Sequence, residues 1–488
     1  MGGAQGNRRP DIVLAAAVFL CLLAALPVVL ARYPAMADYP AHLARWHVML
    51  ASADSPALQR FYTFRWQWVP NLGGDILIRP LAAMFGLEQG GRVMVGLTAV
   101  LLALSFVATE LALRGRVGAG SLLALCTVWS PTLLMGFVNF SLGQALAFLA
   151  FALWVRGAGK PWRPALFVAV APVVWLCHLA GWGVLSVLVF GHEWARRGGR
   201  IAALPSAAIA TWPLWPPLVL TILAGSGAAP LAPSLAEFRA KVFYWIIALR
   251  DRSAPLDIAT VMVLAAAPLL ALRRGWIDPR MGIPALLLAA LVFIVPRNLG
   301  GGDFADYRLV PVALAAGALA IDGPRVGRIV LLCAVPFLVR LGVTTQAWVG
   351  ESARTASALA ALDHLPAGAT VAGAWAYHPA DWAQSPQGHL FAYATVRRDA
   401  LTNAHFAIPG VHMLQLARPD PDFVDPSQRI VLDPGQRADL AAFAPAAHAQ
   451  YLWYFGDEPP ARMPPGAVVI WRDGPSFLAR LAKRPEDR

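Results

Sequence analysis

The chain has 488 residues, of which 58% are hydrophobic and only 14% charged, with a formal net charge of +12. Soluble domains carry roughly 25% charged residues, so this composition excludes an ordinary water-soluble protein. The arginines are scattered over short connections between apolar runs, which excludes a nucleic-acid surface and reads as a topology signal.

The first apolar run, Ile12 to Ala31, follows Arg8 and Arg9. Its end, Arg32-Tyr33-Pro34-Ala35-Met36-Ala37-Asp38, is a poor small-x-small cleavage site. It therefore reads as an uncleaved first span with a cytoplasmic N-terminus. Further runs of spanning length predict about eleven transmembrane helices, near 12–31, 92–113, 117–136, 139–155, 164–178, 181–194, 201–224, 257–272, 281–296, 309–322 and 328–345. The pair 164–178 and 181–194 is short. Basic residues on both flanks require an even number of crossings, so it reads as two short spans or a re-entrant hairpin.

Alternate connections hold Arg114 and Arg116; Arg156, Lys160 and Arg163; Arg196, Arg197 and Arg200; Arg273, Arg274 and Arg280; Arg325 and Arg328. All fall on the side of Arg8 and Arg9, the cytoplasmic side by the positive-inside rule. The four cysteines, Cys21, Cys126, Cys177 and Cys333, lie in apolar runs without CxxC spacing and read as small packing residues.

Three outer loops are longer than turns: 32–91, 225–256 and 297–308. The first carries two amphipathic stretches, Pro40–Ala51 and Ile76–Phe85, and many aromatics. In the second, Ser234 to Arg239 reads as a capped helix start. Residues 1–350 form the membrane domain, and residues 351–488 a soluble C-terminal α/β domain outside the membrane. In that tail, strands are expected at Ala369–Ala374, His389–Val396, Ile430–Leu432, Gln450–Phe455 and Ala467–Trp471. Helices are expected at Ala353–Leu362 and Gln436–Phe443.

The most informative motif is Asp38-Tyr39-Pro40-Ala41-His42. A helix starting at Pro40 places His42 within a turn of Asp38. A carboxylate beside an imidazole can take a proton from an attacking hydroxyl or hold a metal. Alternatively, Asp38 is only the helix N-cap and His42 is incidental. The topology brings Asn139, His178, Asp303, Asp306 and Arg308 to the same outer face. Arg340 lies in the outer half of the last span. It needs an anionic partner, either an acid of the bundle or a lipid phosphate, unless it snorkels to the headgroups.

Taken in order, these features resemble the GT-C superfamily of polytopic glycosyltransferases. The shared features are an early acid after the first span, an amphipathic outer loop, a late Asp306-Tyr307-Arg308-Leu309-Val310-Pro311 segment and a soluble outer domain. Many members have two adjacent acids in the first loop, whereas here Asp38 is followed by Tyr39. The resemblance implies a bacterial inner-membrane enzyme taking a sugar from a polyprenyl-phosphate donor to an extracytoplasmic glycan, lipid or protein. It implies Asp38 as catalytic base or partner of a divalent Mg or Mn ion, and Arg308 or Arg340 as phosphate ligand. Other readings of the same features are a transporter or lipid flippase, and a non-catalytic envelope-assembly scaffold. A transporter should show mid-span charges and repeated halves; the sequence has few of the former and no repeat.

Overall fold

The computed structural model describes residues 12–223, 235–299, 302–323, 327–379, 381–407 and 412–482. Proline sets most breaks in the apolar segments. The first is two helices, α1 (Ile12–Leu23) and α2 (Leu26–Leu30), with Pro27 in the first turn of the second. The segment after it then folds as α3 (Tyr39–Ala51), α4 (Pro56–Phe61), β1 (Tyr62–Phe64) and α5 (Gly73–Phe85), so both amphipathic stretches are helices.

The long α6 (Leu87–Arg114) leads to α7 (Ala119–Ala124) and α8 (Pro131–Met135), with a short 3-10 turn at Leu125–Thr127 between these two. Helix α8 stops at Gly136, whose φ of +108° lies in the left-handed region that favours glycine. Next come α9 (Val138–Arg156), α10 (Trp162–Cys177) and α11 (Leu179–Arg196). The extended His178 separates the last two, which pack against each other, so this stretch is a hairpin and not one long helix.

Beyond them lie α12 (Leu204–Ala210), α13 (Pro216–Leu223), α14 (Leu235–Ile246), α15 (Ala254–Arg273), α16 (Pro279–Ile294) and α17 (Leu309–Leu319). Helix α14 begins where the capped start is expected, although Ser234 itself lies outside the described residues. Helices α18 (Gly327–Leu332) and α19 (Val335–Leu359) complete the bundle, and α19 runs without a break across position 350.

Every one of the eleven expected segments falls on helix. Among the described residues, however, only four stretches are long and apolar enough to cross a membrane alone: α6, α9, α15 and the stretch Gly327–His364, which holds α18 and α19. A fifth forms if the pair Ile201–Ala210 and Trp212–Leu223, bent by 52°, is one span. Prolines and glycines shorten the rest. Helix α15 leaves Met262, Leu269, Leu270 and Leu272 exposed, an apolar face suited to lipid.

The tail is built on β2 (Thr370–Tyr377). The short helix α20 (Ala392–Arg398) leads to β3 (Leu401–Thr402), then β4 (Leu414–Leu416), β5 (Arg429–Val431), β6 (Tyr451–Phe455), β7 (Val468–Asp473) and β8 (Ser476–Arg480). The sheet order is β3-β2-β6-β8-β7, with β5 also on β2. Strands β3, β5 and β6 run parallel to β2, whereas β8 is antiparallel to both β6 and β7.

Two sequence expectations differ here. Residues 389–396 are not a strand: a 3-10 turn, Pro386–His389, runs into α20, which buries Ala392, Tyr393 and Thr395. Residues 436–443 are not a helix. Their backbone bonds across to 461–462 instead (Ala461 N–H to Ala438 O, Leu440 N–H to Arg462 O).

The segment from α3 to α5 and the tail are joined. Strand β1 pairs with β4 in an antiparallel ladder, Tyr62 facing Leu416 and Phe64 facing Leu414. Helix α3 packs on α20. One apolar core runs from Trp46 and Phe106 of the bundle side through Trp348 to Phe391 and Trp453 of the tail.

Candidate functional site

The site starts from how the chain holds Asp38. Ala37 and Asp38 donate their backbone N–H groups to Leu134 O (3.3 Å) and Met135 O (2.9 Å), so the segment is pinned beside the end of α8. Close approach is possible because residue 136 is glycine: a Cβ there would lie 2.7 Å from the Asp38 Cβ. Asp38 occupies the N-cap position of α3, yet its side chain makes no capping hydrogen bond. The carboxylate is turned elsewhere, toward the tail.

There it meets His389. The Nδ1 of His389 lies 3.5 Å from Asp38 Oδ1 and 3.1 Å from Ala37 O, and Nε2 lies 3.0 Å from Asp425 Oδ1. A carbonyl and a carboxylate only accept, so both ring nitrogens must donate, which requires the imidazolium form. Burial alone would pull the His389 pKa down. The hydrogen bond and charge of Asp425, with the charge of Asp38, outweigh it and raise the pKa above the ordinary value. Asp425 also accepts from Gln428 Nε2 at 2.7 Å. Its burial is likewise overridden by His389, Arg429 and Gln428, which hold it well below the usual carboxylate range.

Asp38 is the unusual acid of the pair. Burial pushes its pKa up to about 6; His389 opposes the rise, Asp425 adds to it, and Arg429 and Arg308 oppose it further. With 19% of its side chain exposed, it remains reachable. A carboxylate poised near neutral pH, next to a fixed cation, is suited to receive a proton during a reaction.

Arg308, at the start of α17, supplies the third element. Its guanidinium lies over the Phe137 ring at 4.0 Å, Nη2 donates to Asp303 O (3.0 Å), and Nε has no hydrogen-bond partner. Its Nη1 lies 3.0 Å from His178 Nε2. His178 also caps α11, with Nδ1 accepting the Ala180 N–H at 3.0 Å. A neutral imidazole accepts at one nitrogen only, so the two contacts compete and Arg308 is imperfectly satisfied. An anion arriving here would find a guanidinium with donors to offer.

The other sequence candidates fall in different places. His42 begins the next turn of α3, its N–H on Asp38 O (3.0 Å), but its ring turns away: Nε2 donates to Gly136 O at 3.2 Å, and the ring stacks on Trp46. Burial, with Arg45 and His412 nearby, keeps it neutral. The imidazole beside Asp38 is thus His389. Asn139 ties the start of α9 to the start of α5, accepting from Gly74 N (2.7 Å) and donating to Asn71 (2.8 Å). Asp303 is paired with Arg297 (2.7 Å), and the buried Asp306 with Lys241 (3.4 Å). Arg340 is buried against Asp257 and donates to Leu249 O (2.9 Å), so its anionic partner is an acid of the bundle.

The chain was compared with known proteins. No protein-family model and no curated protein matches it. One solved structure that does is the crystal structure of ArnT from Cupriavidus metallidurans bound to undecaprenyl phosphate. The match covers 96% of this chain and 97% of that chain, at 15% sequence identity and a TM-score of 0.45.

The donor set around Asp38 does not fit a divalent ion such as Mg or Mn. Hard cations need several oxygen ligands. The nearest charged groups to Asp38 are an imidazolium engaged at both nitrogens, the paired Asp425 and two guanidinium groups. Asp75 is no second acid here, because it is buried against Arg45 (3.1 Å) and the Trp46 indole (3.2 Å). Among the described residues, three metal-type side chains converge only at Asp420, Asp422 and His448 of the tail. Sequence reasoning missed His389, Asp425 and Arg429. They lie 351 or more positions after Asp38 and share no spacing with it; only the unusual Gln387-Gly388-His389 and Asp425-Pro426 punctuation marks them.

Proposed function

We propose that the chain is an integral membrane glycosyltransferase that works at the outer face, taking a sugar from a polyprenyl-phosphate donor to an extracytoplasmic acceptor. In this reading the N-terminus is cytoplasmic and the tail lies outside. The observation that carries it is the Asp38 carboxylate, free of its capping role, raised to about 6, with the His389 imidazolium 3.5 Å away and the charge of Arg308 also acting on it. A greasy phosphorylated donor is soluble only in the bilayer, whereas the acceptor comes from water. A base beside a bundle of apolar helices and under a water-facing tail suits that meeting.

The acceptor hydroxyl oxygen attacks the anomeric carbon and forms the new C–O bond. The bond from that carbon to the phosphate oxygen breaks, and its electron pair leaves with the polyprenyl phosphate. The hydroxyl proton passes to Asp38. Arg308 meets the charge that develops on the departing phosphate, where a preformed donor contributes most in the transition state. His389, held as a cation by Asp425, keeps Asp38 ionised against its burial. Direct displacement by the acceptor inverts the anomeric centre.

The test uses the full-length protein in lipid nanodiscs with radiolabelled polyprenyl-phosphate hexoses and pentoses and an envelope fraction as acceptor. Label should move to the acceptor, and Asp38→Asn should slow transfer by roughly 10²–10⁴-fold, the range for general-base catalysis. Full activity in Asp38→Asn overturns the assignment of the base. No transfer from any donor overturns the activity.

A further inference from the structure

Away from the proposed site, α9 and α10 leave between them an apolar groove of about 370 Å³. Its walls include Leu146, Leu149 and Leu153 on α9, and Ala169, Val170 and Val173 on α10. Positions three and four apart stack on one face of a helix, so each wall is a continuous stripe. Followed in the same steps, the α9 stripe reaches Arg156 one turn past Leu153. The α10 stripe, read backward, passes the exposed Leu166 to Trp162 and Arg163. Both stripes therefore end at a guanidinium, with an exposed indole between the groove and water, the place where membrane proteins put tryptophan.

That end carries more positive charge than the protein neutralises. Arg163, Arg196 and Arg197 all approach one carboxylate, Glu193, at 3.7, 3.9 and 2.6 Å. Glu193 also accepts from the Trp154 indole at 2.9 Å. Arg163 is fixed over the Trp154 ring at 4.3 Å, and its buried Nη1 has no hydrogen-bond partner. Arg156, the last residue of α9, and Lys160 in the α9–α10 connection are exposed. An apolar groove whose walls lead toward arginines that outnumber the one carboxylate they share matches a molecule with a hydrocarbon chain and an anionic head.

We propose that this groove seats an acyl chain of an anionic phospholipid, whose phosphate is met by Arg156 and Arg163. The phosphorylated donor shares that chemistry but not the place. Helix α9 begins at Val138, beside the Gly136–Asp38 contact, and Arg156 is 18 residues further on, roughly 27 Å at 1.5 Å per residue. That nearly equals the roughly 30 Å hydrocarbon thickness of a bilayer. A donor with its phosphate at Arg163 could not present its sugar to Asp38. The bound lipid therefore belongs to the opposite leaflet and is a structural or regulatory tenant of the bundle. It does not depend on the transferase reading.

The experiment is native mass spectrometry of the full-length protein with equal amounts of phosphatidylglycerol and phosphatidylcholine of identical acyl chains. The anionic lipid should be retained at least about fivefold over the zwitterionic one, the size expected where basic side chains meet an anionic headgroup. The double variant Arg156→Gln/Arg163→Gln should reduce that ratio to near unity, and Val173→Trp, which fills the groove, should reduce retention of both lipids. If the double variant does not fold, the exposed Arg156→Gln alone should lower the ratio. Equal retention by the wild type overturns the proposal, as does a ratio unchanged in the arginine variants. Displacement of phosphatidylglycerol by an equimolar polyprenyl phosphate overturns the assignment to a phospholipid.

Discussion

His47 of α3 and Asp399 of the tail are 352 positions apart in the chain, and His47 Nε2 lies 2.7 Å from Asp399 Oδ1. Ser55 Oγ donates to the other carboxylate oxygen at 2.8 Å. Asp399 has a φ of +52°, in the left-handed region at the end of α20. One residue thus closes a helix with its backbone and clasps α3 to the tail with its side chain. Asp399→Ala should cost about 1–3 kcal/mol, from two lost hydrogen bonds and a backbone that alanine adopts poorly. Asp399→Asn, which tolerates the same backbone, should cost less. Thermal melting followed with protease nicking of the tail measures both, and equal effects would show that the backbone is not part of the cost.

Asp38 makes a pH prediction with a definite sign. Its folded pKa, about 6, lies above the ordinary value of 3.8. The folded protein therefore binds that proton more tightly. The stability it contributes is full below about pH 4 and is lost as pH rises through about 6. Asp38→Asn should consequently flatten the fall in stability between pH 4 and 6. Activity runs the other way, because a base must be ionised: transfer should fail on the acid side of about pH 6. In His389→Gln, which removes the neighbouring positive charge, that acid limb should move to higher pH. A limb that stays in place would separate His389 from the titration of Asp38.

Much of this was legible in the sequence where the signal is local. Apolar length found the helical segments, and Pro40 behind Asp38 found the start of α3. The proline and glycine breaks within segments such as 12–31 and 117–136 changed their lengths without hiding them. The candidate site was legible only on the bundle side. Asp38 stood out as an acid at the end of an apolar run, and Arg308 as a cation at the start of another. His389 did not, because nothing local distinguishes it from any histidine in a turn. Its meaning comes from β1 pairing with β4 and α3 packing on α20, contacts that no periodicity encodes. Arg340 carried a different lesson: the sequence shows that a cation within a span needs an anion but leaves open whether that is an acid of the bundle or a phosphate, and Asp257 is the partner.

Arg308 should separate donor binding from general packing. Arg308→Lys keeps the positive charge but loses the planar set of donors and the broad contact with Phe137. Hydrogen bonds to a charged group contribute about 1.5–3 kcal/mol, so transfer efficiency should fall roughly 10–100-fold. Arg308→Gln should fall further. Because His178 is offered two donors in the wild type, removing one should leave the α10–α11 turn intact. Melting temperatures of both variants near that of the wild type, with reduced transfer, are the expected pair of results. A fall in melting temperature that matches the fall in activity would make Arg308 a packing residue.

The sharpest check on the geometry of Asp38 does not touch Asp38. Gly136 and Gly115 both end helices with positive φ, +108° and +71°. A methyl group at Gly115 would meet nothing within 4 Å, whereas one at Gly136 would lie 2.7 Å from the Asp38 Cβ and 3.1 Å from its backbone nitrogen. Both alanine variants carry backbone strain, of order 1–2 kcal/mol. Only Gly136→Ala must also push the carboxylate off its position opposite His389. A misplacement of about 1 Å can cost on the order of 10²-fold in rate. Gly115→Ala should therefore lose some stability and keep its transfer rate, while Gly136→Ala should lose at least as much stability and, per folded molecule, at least about 10²-fold in rate. Equal activity in the two variants would mean that the placement of Asp38 beside the end of α8 is irrelevant to the reaction.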